Sequence, residues 1–348
     1  MNRKNTVLRV ILIVLIILLS LLLIAAVSGY IYVNSLLDLV DRTEITGDEN
    51  LSEEQIYIEE PTVAETTPPE QIQQIQDNFE QIQKEPEKKI LDDEGIENFL
   101  LIGSDRRSTA ENGRSDAMMI LSINHNTKKI HIVSLMRAIY VNIPRSKGDV
   151  WGMLNAAYSW GGPKLLIDTV ERNFMIKLHH YIVVDFTSFE KAVDIVGGVP
   201  ITLTAAEADR LATLQLFYSG AGTHVLNGKQ ALAYSRIRYI DNDFVRTSRQ
   251  RKVITALLQK MTTVNIGQLQ SLAEQILPLV STDLTNGQIM GYLSQAPAML
   301  GYDISQRMLP IENESGKTYT GKIYINGREM YKIDFAKNIE ELHSFLRS

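Results

Sequence analysis

The sequence predicts an α/β fold, layered α/β/α, in which a single extracellular domain builds a central mixed β-sheet flanked by helices and follows an N-terminal transmembrane helix. Three observations carry that expectation. Strand-like and helix-like runs alternate from about residue 97 onward, glycine and proline punctuate the joints between them, and Val10 to Val33 is an uncharged apolar run.

Residues 1–9 carry Arg3, Lys4 and Arg9 and read as a cytoplasmic N-terminus. The run VILIVLIILLSLLLIAAVSGYIYV, residues 10–33, exceeds the roughly 20 residues that cross a bilayer core. Basic residues before it and acidic residues after it put the remainder of the chain outside by the positive-inside rule. A cleaved signal peptide would have an apolar region of about 7–15 residues before a small-residue site. Ala25-Ala26-Val27-Ser28 matches such a site only passably, so the sequence favours an uncleaved single-span anchor.

Residues 34–96 read as an acidic extracellular linker. Positions 41–96 hold 17 Asp/Glu against 4 Lys/Arg and are broken by Pro61, Pro68, Pro69 and Pro86. Such a composition buries too little apolar surface to fold alone. Within it, Ile72, Ile75, Phe79 and Ile82 form a short helical stripe, which would pair neighbouring molecules, dock on the domain, or fray.

Residues 97–348 read as one folded domain. Phe99–Ile102 is a compact strand that meets a turn at Gly103-Ser104, and Ala117–Ile123 and Lys129–Leu135 are two further strands. Pro163, after Gly161-Gly162, opens a helix to about Phe174. Strand His180–Phe186, helix Ser188–Val196, the Gly197-Gly198 stop and strand Val199–Leu203 follow. Helices are expected at 243–262, 266–280, 285–299 and 335–347, and Asn326-Gly327 between Lys322–Ile325 and Arg328–Ile333 marks a hairpin.

The formal net charge of −6 hides an uneven distribution, because residues 97–348 hold 28 Lys/Arg and 23 Asp/Glu. A mildly basic domain suits an anionic ligand without demanding one. The absence of cysteine excludes disulfides, thiolate zinc sites and cysteine nucleophiles. Phosphate loops, dinucleotide fingerprints, His-Glu-x-x-His and Gly-x-Ser-x-Gly are also missing. Basic residues are not interleaved with aromatics, so no nucleic-acid surface is expected.

Arginine is concentrated instead. Between Arg236 and Arg251 the chain packs Arg236, Arg238, Arg246, Arg249 and Arg251 with Asp241 and Asp243, and planar guanidinium forks suit phosphate oxygens. The bland alternative is a solvated charged helix with local ion pairs. Three more spots fall at strand ends: Asp105-Arg106-Arg107, Arg114-Ser115-Asp116 and Arg137. Asp105 and Asp116, on adjoining strands, would hold magnesium, a cation that takes carboxylate, water and phosphate oxygens. Arg107, Arg114, Arg137, Arg236, Arg238 and Arg246 would then grip the phosphates. Turn capping is the competing role for each aspartate alone.

These residues, in this order behind a membrane anchor, resemble the LytR-CpsA-Psr family of cell-envelope proteins. The resemblance rests on FLLIGSDRR, RSDAMMILSIN, SLMR with Tyr140-Val141, LNAAY before Gly161-Gly162, Gly197-Gly198-Val199, and LNGKQALAYSRIR leading into DNDFVRTSRQR. It implies a single-pass membrane phosphotransferase that moves an anionic glycopolymer, of teichoic acid or capsular polysaccharide type, from an undecaprenyl-pyrophosphate carrier to peptidoglycan. It implies Mg2+ at Asp105 and Asp116, pyrophosphate at Arg107, Arg137, Arg236, Arg238 and Arg246, and orientation of those arginines by Asp243 and Gln250. Asp105, Asp116, Arg137 and Asp243 would form the catalytic set. One departure matters: Arg137 is followed by Ala138 where the family pattern has Asp, while Met136 and Met153 replace a common proline and lysine. The alternative function is therefore a non-catalytic, membrane-anchored sensor of lipid-linked envelope precursors.

Overall fold

A computed structural model describes residues 31–52, 56–57, 66–84, 90–105, 113–238, 240–241, 243–261, 271–272, 274–299, 301–311 and 320–348. The apolar run 10–33 and the loop residue Arg107 therefore lie wholly or mostly outside the described residues. Among the described residues, no helix is long and apolar enough to cross a membrane.

The centre of the fold is strand β1, Ile96–Ser104, whose residues are apolar on both sides because both faces of the sheet are covered. Antiparallel to it runs β2, Ser115–Asn124, followed by the antiparallel β3, Lys129–Leu135. Strands β4 (Tyr140–Arg145) and β5 (Gly148–Met153) form a separate hairpin. On the other side of β1 lies the parallel β6, His180–Asp185. β7 (Val199–Leu203) pairs with β8 (Gly222–Leu226), and the two-residue β9 (Ser281–Thr282) closes one edge of the main sheet. β10, Asp303–Leu309, closes the other edge parallel to β3, giving the order β10-β3-β2-β1-β6-β9. β11 (Thr320–Ile325) and β12 (Arg328–Ile333) form the expected hairpin, with Asn326 at φ 52° and Gly327 at φ 73° supplying the positive φ pair of its turn.

Helix α1, Pro69–Lys84, settles the fate of the stripe in the acidic segment. Ile75, Phe79 and Ile82 are buried, and Phe79 packs edge-on against Trp151 at 5.2 Å between ring centroids, so the helix docks on the domain. Leu37, Val40, Ile45, Ile56 and Tyr57 are buried as well, so the packed part of the chain extends upstream of residue 97. Helix α2, Ala156–Phe174, is interrupted at Gly161-Gly162 before Pro163 begins its longer part. Gly162 has φ 63°, and a Cβ there would lie 2.1 Å from the Ile45 carbonyl oxygen, so only glycine permits this close approach.

The remaining helices are α3 (Phe186–Ile195), α4 (Ala205–Thr213), α5 (Gly228–Ser235), α6 (Asp243–Met261), α7 (Asn286–Met299) and α8 (Phe335–Arg347). The helix expected at 266–280 lies partly outside the described residues; its end is a 3-10 turn at Leu277–Leu279 that leads into β9. One face of the sheet, with Leu100, Ile102, Met118, Ile120 and Val133, packs in the cluster that also holds α1, α2 and α8 side chains. The opposite face carries Phe99, Leu121 and Ile123 in a smaller cluster with α7. α6 crosses that same face, where Arg251 donates to the Ser134 hydroxyl of β3 at 3.0 Å.

Candidate functional site

The site forms where β1 ends and β2 begins. Beyond β1 the Asp105 N–H donates to the Arg114 carbonyl at 3.1 Å, which carries the ladder one step past the strand. Arg114 in turn donates its backbone N–H to Asp105 Oδ1 at 2.5 Å and grips Oδ2 through Nε at 3.2 Å and Nη2 at 3.1 Å. Register then slips: Gly103 opposes Ala117 and Ser104 opposes Ser115, which leaves Asp116 as the extra residue of a bulge. Bulges re-aim a side chain at the edge of a ladder, and Asp116 lines the cavity described below.

α6 supplies the facing wall. Asp243, its first residue, shares Oδ2 between Arg246 Nη2 at 2.8 Å and Arg137 Nε at 3.6 Å. Asp243 thus stands in ion contact with two of the expected arginines. Gln250 plays a different part: its Nε2 donates to the Asp116 carbonyl at 3.4 Å and ties α6 to the bulge rather than to an arginine. Arg236 ends α5 and lays its guanidinium 4.4 Å from the centre of the Phe186 ring. Ala138 is buried, and its carbonyl accepts from the Tyr331 N–H at 2.9 Å, which fixes the backbone beside Arg137 to β12.

A cavity of about 680 Å³ opens among these elements, lined by Arg114, Asp116, Arg236, Arg238, Arg246 and Gln250. It also takes in Arg210 of α4, Lys229 of α5 and Glu190 of α3, which the sequence reading did not single out. Both helices carry capping boxes, Thr204 with Glu207 and Asn227 with Gln230. Those S/T/N-x-x-E/Q patterns were the available signal for helix starts near the site. Leu214, Leu216, Leu232 and Ile237 give the same cavity an apolar side.

Cations outnumber anions on this surface, and Arg246 registers the imbalance. Burial, then the nearby Arg137 and Arg238, lowers its pKa from the ordinary guanidinium range to about 10, against the pull of Asp243 and Asp116. The expected grouping is thus largely assembled: Asp105 with Arg114, Asp116 and Gln250, and Arg137, Asp243 and Arg246 converge, with Arg236 and Arg238 in the same cavity wall. Arg107 lies outside the described residues. Arg249 goes elsewhere, into a buried pair of ion contacts with Glu207 and Asp241.

Among the described residues, no group of three or more His, Asp or Glu converges as a metal cage. Asp105 and Asp116, from adjoining strands, offer oxygen donors alone, the set a magnesium ion takes when water and phosphate complete its octahedron. The residue types fit that ion, with Arg114 holding both oxygens of Asp105 in this arrangement.

Comparison with known proteins bears on the family and the fold. Biofilm regulatory protein A of Streptococcus mutans is 35% identical over 269 residues, covering 70% of this chain and 64% of its own length. A protein of Enterococcus faecalis named polyisoprenyl-teichoic acid–peptidoglycan teichoic acid transferase TagU is 36% identical over 194 residues, covering 53% of this chain and 61% of its own. The matches thus span less than two thirds of either relative. Among solved structures, the LytR-CPS2A-psr family protein YwtF (TagT) with bound octaprenyl pyrophosphate lipid shares the fold, with a TM-score of 0.56 at 23% identity over 73% of this chain and 90% of that one. The LytR_cpsA_psr family model matches residues 63–343, most of the chain. With its family model matched over most of its length, the chain belongs to the LytR_cpsA_psr family.

Proposed function

We propose that this protein is a membrane-anchored phosphotransferase that attaches an anionic glycopolymer, of teichoic acid type, from a polyprenyl-pyrophosphate carrier to peptidoglycan. The observation that carries the reading is the cavity wall itself, where Arg114, Arg210, Lys229, Arg236, Arg238 and Arg246 face Asp116 and Glu190. A neutral ligand would leave that excess of charge uncompensated; a pyrophosphate supplies the missing anion. The names of the relatives support the same substrate class.

The reaction is a displacement at phosphorus. An acceptor sugar hydroxyl attacks the phosphate that carries the polymer, a new P–O bond forms, and the P–O bond to the polyprenyl phosphate breaks. Such a step needs alignment and charge neutralisation more than covalent catalysis. Arg137 and Arg246, held by Asp243, would bind the pyrophosphate oxygens together with Arg236, Arg238 and Arg107. Asp116 is the better proton acceptor for the hydroxyl, because Arg114 holds both oxygens of Asp105. Magnesium bound at Asp105 and Asp116 would neutralise charge on the phosphate oxygens. The apolar side of the cavity, Leu214, Leu216, Leu232 and Ile237, would receive the first prenyl units.

In this reading residues 10–33 span the membrane with the N-terminus in the cytoplasm, and the domain works at the outer face where the lipid-linked donor resides. The ion contact of Arg137 with Asp243 favours turnover over the sensor alternative, since that arginine has an orienting carboxylate despite Ala138. The full chain, given lipid-pyrophosphate-linked sugar, peptidoglycan oligomer and magnesium, should yield a phosphodiester-linked product, and a chelator should stop it. Absence of product beside a working relative would defeat the proposal.

A further inference from the structure

Helix α7 carries no Asp, Glu, Lys or Arg along its length. Its inner side packs on the sheet, with Ile289 buried and Tyr292 edge-on to Phe99 of β1 at 5.3 Å. Its outer side presents Met290 at 39% and Leu293 at 48% exposure, with the exposed Pro297 one turn further on. Spacing of three and four residues puts them on one stripe. Isolated exposed apolar residues need no explanation; an uncharged helix with an apolar outer stripe does.

The chain preceding the domain says what covers it. Residues 31–37 are helical, and the segment through Arg42 is fastened to the start of α7. Asn286 Nδ2 donates to Asp38 Oδ1 at 2.8 Å, Arg42 Nε donates to the Leu284 carbonyl at 2.9 Å, and Arg42 also bonds to the Asn286 side chain. Leu37 and Val40 are buried in one cluster with Leu284 and Ile289. The apolar run Val10–Val33 ends inside that helical segment. From Val33 to Leu37 the helix climbs only roughly 6 Å, so a span at 10–33 brings α7 to the membrane surface with no slack between them. The half-exposed Tyr32 sits at the junction, where interfacial tyrosines are common.

We propose that α7 lies in the outer interface of the bilayer, with Met290, Leu293 and Pro297 among the lipids, and that it fixes the attitude of the domain. The inference rests on residues 10–33 being a membrane span. It has a consequence for the site. Phe99 and Leu121, clustered with α7, share a sheet face with Ser134, which Arg251 of α6 contacts, so docking α7 turns the face that bears the α6 wall towards the membrane.

Because the chain has no cysteine, single labels can be placed in the full-length protein. Leu293→Cys, Ser20→Cys and Asn78→Cys would each carry an environment-sensitive dye in vesicles of phosphatidylglycerol and phosphatidylcholine that contain nitroxide-labelled lipid. Asn78 is exposed on α1, which packs on the opposite face of the sheet. The expected result is about twofold quenching at 293, fitting a face sunk roughly 5–10 Å into the interface, with none at 78. Quenching at 20 but not at 293 would overturn the inference while leaving the anchor intact. No quenching at 20 would sink the anchor reading, and the signal at 293 would then decide on its own whether the face meets lipid. Excimer formation between pyrene labels at 293, without lipid quenching, would assign the face to a second copy and overturn the proposal.

Discussion

Arg246 and Arg249 stand three residues apart on α6 and are both buried, at 6% and 1% exposure, yet the fold treats their charges in opposite ways. Arg249 donates Nε to Glu207 at 2.7 Å, meets both oxygens of Asp241, and reaches the Ile237 carbonyl. Burial works against its charge, but the bonds to Asp241 and Glu207 prevail and raise its pKa. Glu207 answers in kind: burial opposes its ionisation, and the Thr204 N–H and Arg249 outweigh it and lower its pKa. Arg246 shares Asp243 and feels Asp116, but burial and the nearby Arg137 and Arg238 outweigh them, and its pKa falls to about 10. A structural arginine is supplied with its own carboxylates. Arg246, on the cavity wall, is left short of them.

The largest effect should follow from breaking the compensated member. Arg249→Met leaves Glu207 buried without its cation and should lower folding stability by about 3–5 kcal/mol, read by urea denaturation. A loss under about 1 kcal/mol would mean that Arg249 is not the structural partner of the two. Arg246→Gln should do the reverse. Turnover should drop about 10²–10³-fold in kcat/KM, as when one preorganised donor is removed from developing charge, while the urea midpoint stays near that of the parent or rises. If both variants unfold alike, the contrast between them fails.

A smaller effect concerns the anion that Arg246 lacks. With a folded pKa near 10, below that of a free guanidinium, the folded state holds this proton less tightly than the unfolded chain. Its charge therefore costs stability at every pH below about 10, and the cost fades as pH rises from there towards the pKa of a free guanidinium. A bound anion should relieve the same cost at neutral pH. Inorganic pyrophosphate at ten times its Kd should stabilise the parent by about 1.4 kcal/mol, measured by calorimetry, with its Kd weakening as salt is added. Arg246→Gln should bind it more weakly, so that at the same pyrophosphate concentration the gain shrinks. An equal gain in both proteins would place the anion away from Arg246.

The contrast also marks how far the sequence could be read. Strand and helix periods, the Pro163 start and the Asn326-Gly327 turn are local patterns, and they located β1, β2, β3, α2, α6, α8 and the terminal hairpin. The aspartates and arginines of the site were visible as residue types at strand ends. What could not be read was partnership. Arg246 and Arg249 have the same chemistry and both lie on α6, and what separates them is the fold's choice to turn Asp241 onto Arg249 and to bring Glu207 to it from α4, 42 residues away. Asp105 and Asp116 looked equivalent until Arg114 closed on the first and a bulge re-aimed the second. Lys229 lies seven residues before Arg236 on the same face of α5, a helical spacing the sequence did offer, whereas Arg210 enters the cavity through tertiary packing alone.

The smallest effect is expected at residue 138, where alanine stands in place of the family's aspartate. If a carboxylate there were the sole orienter of Arg137, its loss would cost about 1–3 kcal/mol. Asp243 already meets Arg137 Nε at 3.6 Å, and the buried Ala138 backbone is held by Tyr331. Ala138→Asp should therefore change kcat/KM by less than about threefold, roughly 0.6 kcal/mol. A gain of about a hundredfold would show that Asp243 does not orient Arg137. The sharper form is a cycle with Asp243→Ala, in which Arg137 and Arg246 both lose their shared carboxylate. A carboxylate restored at 138 can replace that partner for Arg137 alone, so its benefit should be greater in this background by a coupling of about 0.5–3 kcal/mol. Equal benefits in both backgrounds would mean that residues 138 and 243 act on Arg137 independently, and that the site tolerates alanine for some reason other than the carboxylate on α6.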